Sequence, residues 1–392
     1  MDSILSTIGF ILSVLVGIFL LVLLVVVHEL GHAIAARRNG VVVEEFGIGF
    51  PPRAWAKKLK NGVLFTLNWL PLGGFVKLKG EHDSADQEGD YGATSLWVKA
   101  KILLAGVAVN YVTAIIIFTV LALFGLPKVL PDQFYVKSDT APIAVQPVEI
   151  AKVTKGSPAD KAGIKEGDRI ISVNGKELEV AGQLSNITRE NAGKAIAITL
   201  ERNGERQSKE VTLNRTSGEQ GYLGIRPNAQ QAQYIRATWS APIVGVMTSL
   251  QFTEAYLKGL GTLLADVGRG IASKFSGDRT VREEGSESLQ AAERSVAGPV
   301  GILGQIFPNA LDAGIIWLLF LTGIISLTLA IMNILPIPAL DGGRLFLAVL
   351  FRAIRKPLTK EREETIVGTS FLILMALVLL ITVLDIRRIS NG

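Results

Sequence analysis

One stretch constrains this chain more than any other. Ile4 to Val27 is almost unbroken apolar sequence, and it runs without a turn signal into His28-Glu29-Leu30-Gly31-His32. An apolar helix of this length spans a bilayer. No Lys or Arg precedes it and no small-residue cleavage site follows it, so a retained span is expected rather than a removable leader. With the motif included, the first span reads as residues 4–36. Similar runs lie at 102–126, 314–340 and 366–384. With 49% apolar and 19% charged residues over 392, the chain is too apolar for an ordinary soluble protein. The expected fold class is a polytopic α-helical membrane protein with about four transmembrane helices.

Basic residues orient such spans. They crowd between spans one and two, from Arg37 to Lys101, and between spans three and four, from Arg344 to Arg362. Both of these loops are expected in the cytoplasm, which leaves both termini and the long segment between spans two and three outside. Arg387 and Arg388 run weakly against this order. The net charge of +5 includes no long basic run, so nucleic acid is not an expected partner. Cysteine is absent; disulfides are excluded, and a metal would have to be held by His, Asp or Glu.

Between spans two and three, polar residues return. Short β-rich runs, at 148–153, 169–173, 195–200 and 211–213, are separated by turn signals such as Asn174-Gly175 and Asn203-Gly204. Residues 240–296 read as an amphipathic helix followed by a polar loop. Its apolar positions Val246, Leu250, Tyr256, Leu260, Leu264, Val267 and Ile271 have helical spacing. This helix either lies on the outer membrane surface or packs on the neighbouring domain. Ser276 to Ser295 is polar throughout and is expected to be a flexible loop.

The chemistry centres on His28 to His32. Residues four apart share one helix face, so His28 and His32 can grip one cation together, and Glu29 can take a proton from the attacking water. Arg37 follows His32 by about 7–8 Å along a helix, which places the pair inside the membrane near its cytoplasmic face. Ionisable groups there are costly and functional by default. A hydrolytic zinc takes three protein ligands and a water. His82 sits in a polar loop and reads as solvated. Asp341 is the better third ligand, with the N-cap of a helix at 342–355 as its alternative role. Pro336 and Pro338 break the third span, which membranes tolerate only beside protein or a water-filled cavity. Asn333 either donates to the oxyanion of the tetrahedral intermediate or ties the broken helix together.

His28 to His32, taken with Asn333-Ile-Leu-Pro336-Ile-Pro338-Ala-Leu340-Asp341-Gly342, resembles the site-2 protease family of intramembrane zinc metalloproteases, and within it the regulator-of-sigma-E branch. Phe46 to Pro52 and Leu70 to Leu78 fit the same pattern. Ser157 to Gly163 and Ile164 to Ile171 resemble a PDZ domain spanning 146–228. The second span departs from the family, with Val107 where a Pro usually follows Gly106; Asn110 is kept.

The resemblance implies Zn2+ held by His28, His32 and Asp341, with Glu29 as base. It also implies a membrane-associated β-hairpin within 41–82 and an extracytoplasmic α+β PDZ domain that binds peptide tails. The catalytic membrane parts become 1–126 and 297–392. Gly74, Phe75, Val76, Pro336 and Pro338 would hold the substrate. Substrates would be single-span proteins of the bacterial cytoplasmic (inner) membrane, pre-cut by another protease: anti-sigma factors or signal-peptide remnants. A catalytically silent scaffold and a metal transporter are the competing readings.

Overall fold

The structure, a computed structural model, describes residues 2–139, 148–178, 181–202, 204–216, 221–227, 233–294, 296 and 298–391. They form two compact units: Met1–Val120 with Pro242–Gly392, and Leu121–Ala241.

Helix α1 (Asp2–Arg38) carries the first apolar run and the histidine motif as one continuous helix. It closes where the Val41 N–H returns to the Ala36 carbonyl at 3.0 Å, a Schellman-type end. Two long bent strands follow, β1 (Val43–Lys58) and β2 (Leu64–Leu78). Val43 to Ile48 pairs antiparallel with Gly74 to Leu78, and Arg53 to Lys58 with Leu64 to Asn68. Glu45 to Ile48 also lies opposite Leu64 to Leu67. The first half of β1 is therefore flanked on both sides, while Gly74–Leu78 has a strand neighbour on one side only among the described residues. Helix α2 (Leu96–Phe124) begins earlier than the apolar run suggests. The Ser95 hydroxyl accepts the Val98 N–H at 3.3 Å. Lys99, which is fully buried, is paired with Asp83 and lies 5.5 Å over the Tyr91 ring.

The second unit contains β3 (Leu126–Lys128), β4 (Val148–Val153), α3 (Pro158–Lys161), β5 (Arg169–Val173), β6 (Lys176–Glu177), α4 (Ala181–Glu190), β7 (Ala195–Arg202), β8 (Glu205–Thr212), β9 (Ile225–Pro227) and β10 (Gln233–Ile235). A six-stranded sheet runs β8-β7-β5-β4-β9 with β6 beside β5. Ile150, Ile170, Ile198 and Leu200 lie at the centre of its core. Gly221 to Ile225 leads into β9, which closes the sheet against β4. Residues 146, 147, 179, 180, 217–220 and 228 of the expected domain, and Asn203 of the expected turn, lie outside the described residues.

Helix α5 (Ala241–Ser273) returns to the first unit. Gly245 abuts Thr119 and Ile115, the Tyr111 and Thr253 hydroxyls are 3.2 Å apart, and Phe252 joins Phe118 and Phe320 in a ring cluster. The first half of α5 thus runs antiparallel to α2, rather than as a helix lying alone on a membrane surface. Its buried face holds the small residues Gly245, Thr248 and Ser249, while Val246, Leu250, Leu264 and Ile271 face outward. Apolar periodicity identified the helix but not its packing face. Small residues at the contact let the α2 and α5 backbones approach closely.

The expected loop at 276–295 is instead helical, as α6 (Arg279–Arg294). Asp278 accepts from the Thr280 amide at 2.9 Å, and Arg279 pairs with Glu283 one turn on. Gly285, Leu289 and buried Ala292 form a narrow seam at helical spacing, and Leu289 abuts Gly270 of α5. A polar average concealed that seam.

The chain continues through α7 (Pro299–Gly301), a π turn at Ile302–Ile306 and α8 (Phe307–Asp312), which abuts Gly17 of α1. The third apolar run then corrects the expected 314–340 span. Helix α9 (Ile315–Asn333) stops, residues 334–340 turn, and α10 (Asp341–Ala353) begins anew. Pro336 and Pro338 lack the N–H groups a continuous helix needs. The last helix, α11 (Lys360–Asn391), outlasts its apolar core of 366–384 at both ends. Among the described residues, four helices are long and apolar enough to cross a membrane: Thr7–Arg38, Leu96–Phe124, Ile315–Asn333 and Lys360–Arg387.

Candidate metal centre

One turn of α1 separates His28 from His32, so both rings leave the same face. Both are buried. The two Nε2 atoms are 3.1 Å apart, and Asp341 Oδ2 lies 3.1 Å from that of His28 and 3.2 Å from that of His32. Three donor atoms from residues 28, 32 and 341 thus form a near-equilateral triangle. A tetrahedral zinc with bonds of about 2.0–2.1 Å sets its ligand atoms about 3.3 Å apart. The donor set therefore fits zinc in kind and in spacing, with no cysteine required.

Helix α2 backs the two histidines. Gly106 lies directly behind them: a Cβ there would sit 2.5 Å from His32 Nε2 and 2.7 Å from His28 Cε1. His32 Nδ1 is 2.8 Å from the Ile102 carbonyl oxygen. A carbonyl only accepts, so Nδ1 carries the proton and the Nε2 lone pair is left free for a metal. His28 Nδ1 is 3.4 Å from Asn110 Nδ2.

Asp341 arrives from the far end of the chain by a different device. It is the first residue of α10, whose N-cap is Leu340, and its carboxylate points to the histidines instead of capping. Gly342 and Gly343 sit tightly against the broken segment. Cβ atoms there would lie 2.2 Å and 1.8 Å from the carbonyl oxygens of Ile334 and Ile337. The two glycines let the turn fold back onto the start of α10.

A cavity of about 200 Å³ opens beside the triangle, lined among others by Glu29, Phe75, Val76, Glu81, Leu103 and Arg344. Gly74 is next to Glu29 on α1: a Cβ on Gly74 would touch Glu29 Cγ at 3.7 Å. Of the expected substrate residues, Phe75 and Val76 thus face the cavity and Gly74 borders Glu29. Pro336 and Pro338 shape the turn that delivers Asp341 and are not among the lining residues; nor is Asn333, the last residue of α9. His82 stands apart from the triangle, 3.1 Å from the Ser84 hydroxyl.

Sequence reasoning missed five contributors. Gly106 and the Ile102 carbonyl left no signal apart from a glycine in a span. Glu81 and Arg344 close the polar side of the cavity with a 2.7 Å ion pair. Burial works against the Arg344 cation, but Glu81, Tyr91 and Glu363 hold its pKa above the ordinary guanidinium value. A charged residue three past Asp341 was a usable clue. So was Asn110, a polar side chain inside an apolar run.

Three donor atoms that could hold a metal, beside a carboxylate and among apolar helices of bilayer length, are what a membrane metallohydrolase requires. The chain belongs to peptidase family M50, whose sequence pattern matches residues 16–377. A relative from Clostridium perfringens is 28% identical over 363 residues, covering 93% of this chain and 95% of the relative. Zinc metalloprotease RasP of Bacillus licheniformis is 27% identical over 449 residues, covering 93% of this chain and 96% of RasP. Among solved structures, the PDZ domain of an SdrC-like protein from Listeria monocytogenes matches 22% of this chain and 93% of its own. Its identity is 16% and its TM-score 0.21, too slight a likeness to argue from. Family membership and the donor triangle together make the chain a membrane metalloprotease, and zinc is the metal its donor set fits.

Proposed function

We propose that the chain is a zinc endopeptidase of the bacterial cytoplasmic membrane that hydrolyses peptide bonds in transmembrane segments of single-span proteins. The observation that carries this reading is the donor triangle of His28, His32 and Asp341 beside a cavity that Glu29 lines. These three residues hold the metal. Bound there, zinc supplies Lewis acidity and brings the pKa of water toward neutrality. The Glu29 carboxylate takes a proton from the attacking water and returns it to the leaving amide nitrogen. Asn333 is assigned to the oxyanion or to the turn beneath it.

Gly74 to Leu78 would accept the unwound substrate as an added strand, with Phe75 and Val76 at the cavity; Pro336 and Pro338 would hold the substrate next to it. A strand exposes its peptide bonds, whereas a helix shields them. Anti-sigma factors or signal-peptide remnants already trimmed outside are the proposed substrates. The distribution of basic residues supports an active site near the cytoplasmic face. It equally supports an extracytoplasmic location for the domain at 146–228 and for the termini; the resemblance of Ser157 to Ile171 to a PDZ domain is what supports binding of peptide tails there.

The test is cleavage of a model single-span substrate by the purified, detergent-solubilised protein and by Glu29→Gln. Wild type alone should cut, with the variant slower by about 10²–10⁴-fold and its zinc content unchanged. Equal cleavage by both would remove Glu29 from the role of base.

A further inference from the structure

We infer that Asn110 is a positioning residue of the metal centre: its side-chain carbonyl is the acceptor for His28 Nδ1–H, which keeps the His28 Nε2 lone pair turned toward the metal. The inference rests on the ligand set proposed above and adds a residue to it.

Helix α2 presents Ile102, Gly106 and Asn110 four residues apart, on one face. The two histidine rings straddle Gly106. His32 Nδ1 meets the Ile102 carbonyl on one side, and His28 Nδ1 meets the Asn110 amide on the other. The arrangement is symmetric except in one respect. The Asn110 NH2 faces His28, while Asn110 Oδ1 is buried with no hydrogen-bond partner.

An unpartnered buried acceptor costs roughly 1–3 kcal/mol. The amide oxygen and nitrogen are close to isosteric, so half a turn about the last side-chain bond exchanges them without moving the backbone. In that orientation Oδ1 lies against His28 Nδ1. A histidine that binds metal through Nε2 carries its proton on Nδ1 and needs an acceptor there. Asn110 is fully buried, so solvent does not supply one. Nor can the residue drift away, because its backbone carbonyl accepts from the buried Ser326 hydroxyl of α9 at 2.8 Å. One orphan acceptor and one required donor are thus matched by a single rotation.

The test uses the full-length protein in detergent. Zinc affinity is measured by chelator competition for wild type, Asn110→Leu, Asn110→Asp and His28→Ala. Leu keeps the shape without the acceptor and should weaken zinc binding by about 10–100-fold. Asp keeps the acceptor and should bind at least as tightly as wild type. Wild-type affinity in Asn110→Leu, or an Asp variant as weak as Leu, would overturn the inference. Should His28→Ala retain full affinity, the ligand set itself fails, which separates the two claims. A second readout needs no variant. The chain has only three histidines, so 15N-histidine labelling should resolve the tautomer of His28. Zinc-loaded wild type should show Nδ1–H, and Nε2–H would overturn the assignment.

Discussion

The proposed metal triad draws on two regions built in opposite ways. Helix α1 supplies His28 and His32 from an unbroken, fully hydrogen-bonded helix, in which a spacing of four residues is enough to converge two rings. The α9–α10 region supplies Asp341 from a run that is broken, turned through residues 334–340 and restarted. On α1 the backbone itself sets the geometry. At Asp341 the geometry depends on two prolines that stop one helix and two glycines that admit a carbonyl against the next. The first kind of site is local and readable. The second is built by tertiary packing and should be far less tolerant of small changes away from the ligand.

The largest expected effect bears on whether the two regions are equal partners. Asp341→Asn and His28→Ala should each abolish cleavage and release zinc at chelator concentrations that leave wild type loaded. If Asp341→Asn holds zinc as wild type does, the distant region contributes no ligand and the comparison collapses. Next in size is a pair of glycine variants. In Gly343→Ala the new Cβ meets the Ile337 backbone carbonyl at 1.8 Å, and neither atom can swing aside. In Gly106→Ala it meets histidine rings, which can tilt. Gly343→Ala should therefore lower thermal stability more, by at least the 1–3 kcal/mol typical of overpacking. Gly106→Ala should chiefly weaken zinc. Melting curves and zinc affinities that rank the two the other way would contradict the division between packed and backbone-defined halves.

The same division explains what could be read from the sequence. The four long apolar helices were legible as runs of the right length, and His28, Glu29 and His32 followed from helical spacing. Asp341 was legible through its place at the end of the third apolar run and through the need for a third ligand in a chain without cysteine. Asn110, Gly106 and the Ile102 carbonyl were not placed at the site, because their roles exist only once α1 and α2 cross. The packing face of α5 was misjudged for a related reason. Periodicity marks apolar residues, but where α5 meets α2 the small ones do the packing. The helix at 279–294 was lost to a polar average that hid Gly285, Leu289 and Ala292.

The smallest expected effect comes from the unit at 121–241, whose core is a β-sheet and so contrasts with the unit built on the long apolar helices. Asp168 is buried and accepts from the Arg202 guanidinium at 2.6 Å. Burial works to raise its carboxyl pKa, but the Arg202 hydrogen bonds and the Lys165 amide hold it below the ordinary carboxylate value. A folded-state pKa that is depressed adds stability above the unfolded value, near pH 4. That contribution disappears as pH falls through the lower, folded value. Asp168→Asn should therefore reduce amide protection in β5 and β7 at pH 7, in keeping with the roughly 1.5–3 kcal/mol of a charged hydrogen bond. The gap to wild type should shrink as the pH is lowered below 4, while protection in α1 and α2 should be the same in the two proteins at each pH. Hydrogen exchange of the full-length protein across that range measures this directly. A gap that persists at the lowest pH would mean that Asp168 stabilises the sheet by packing and not by its charge.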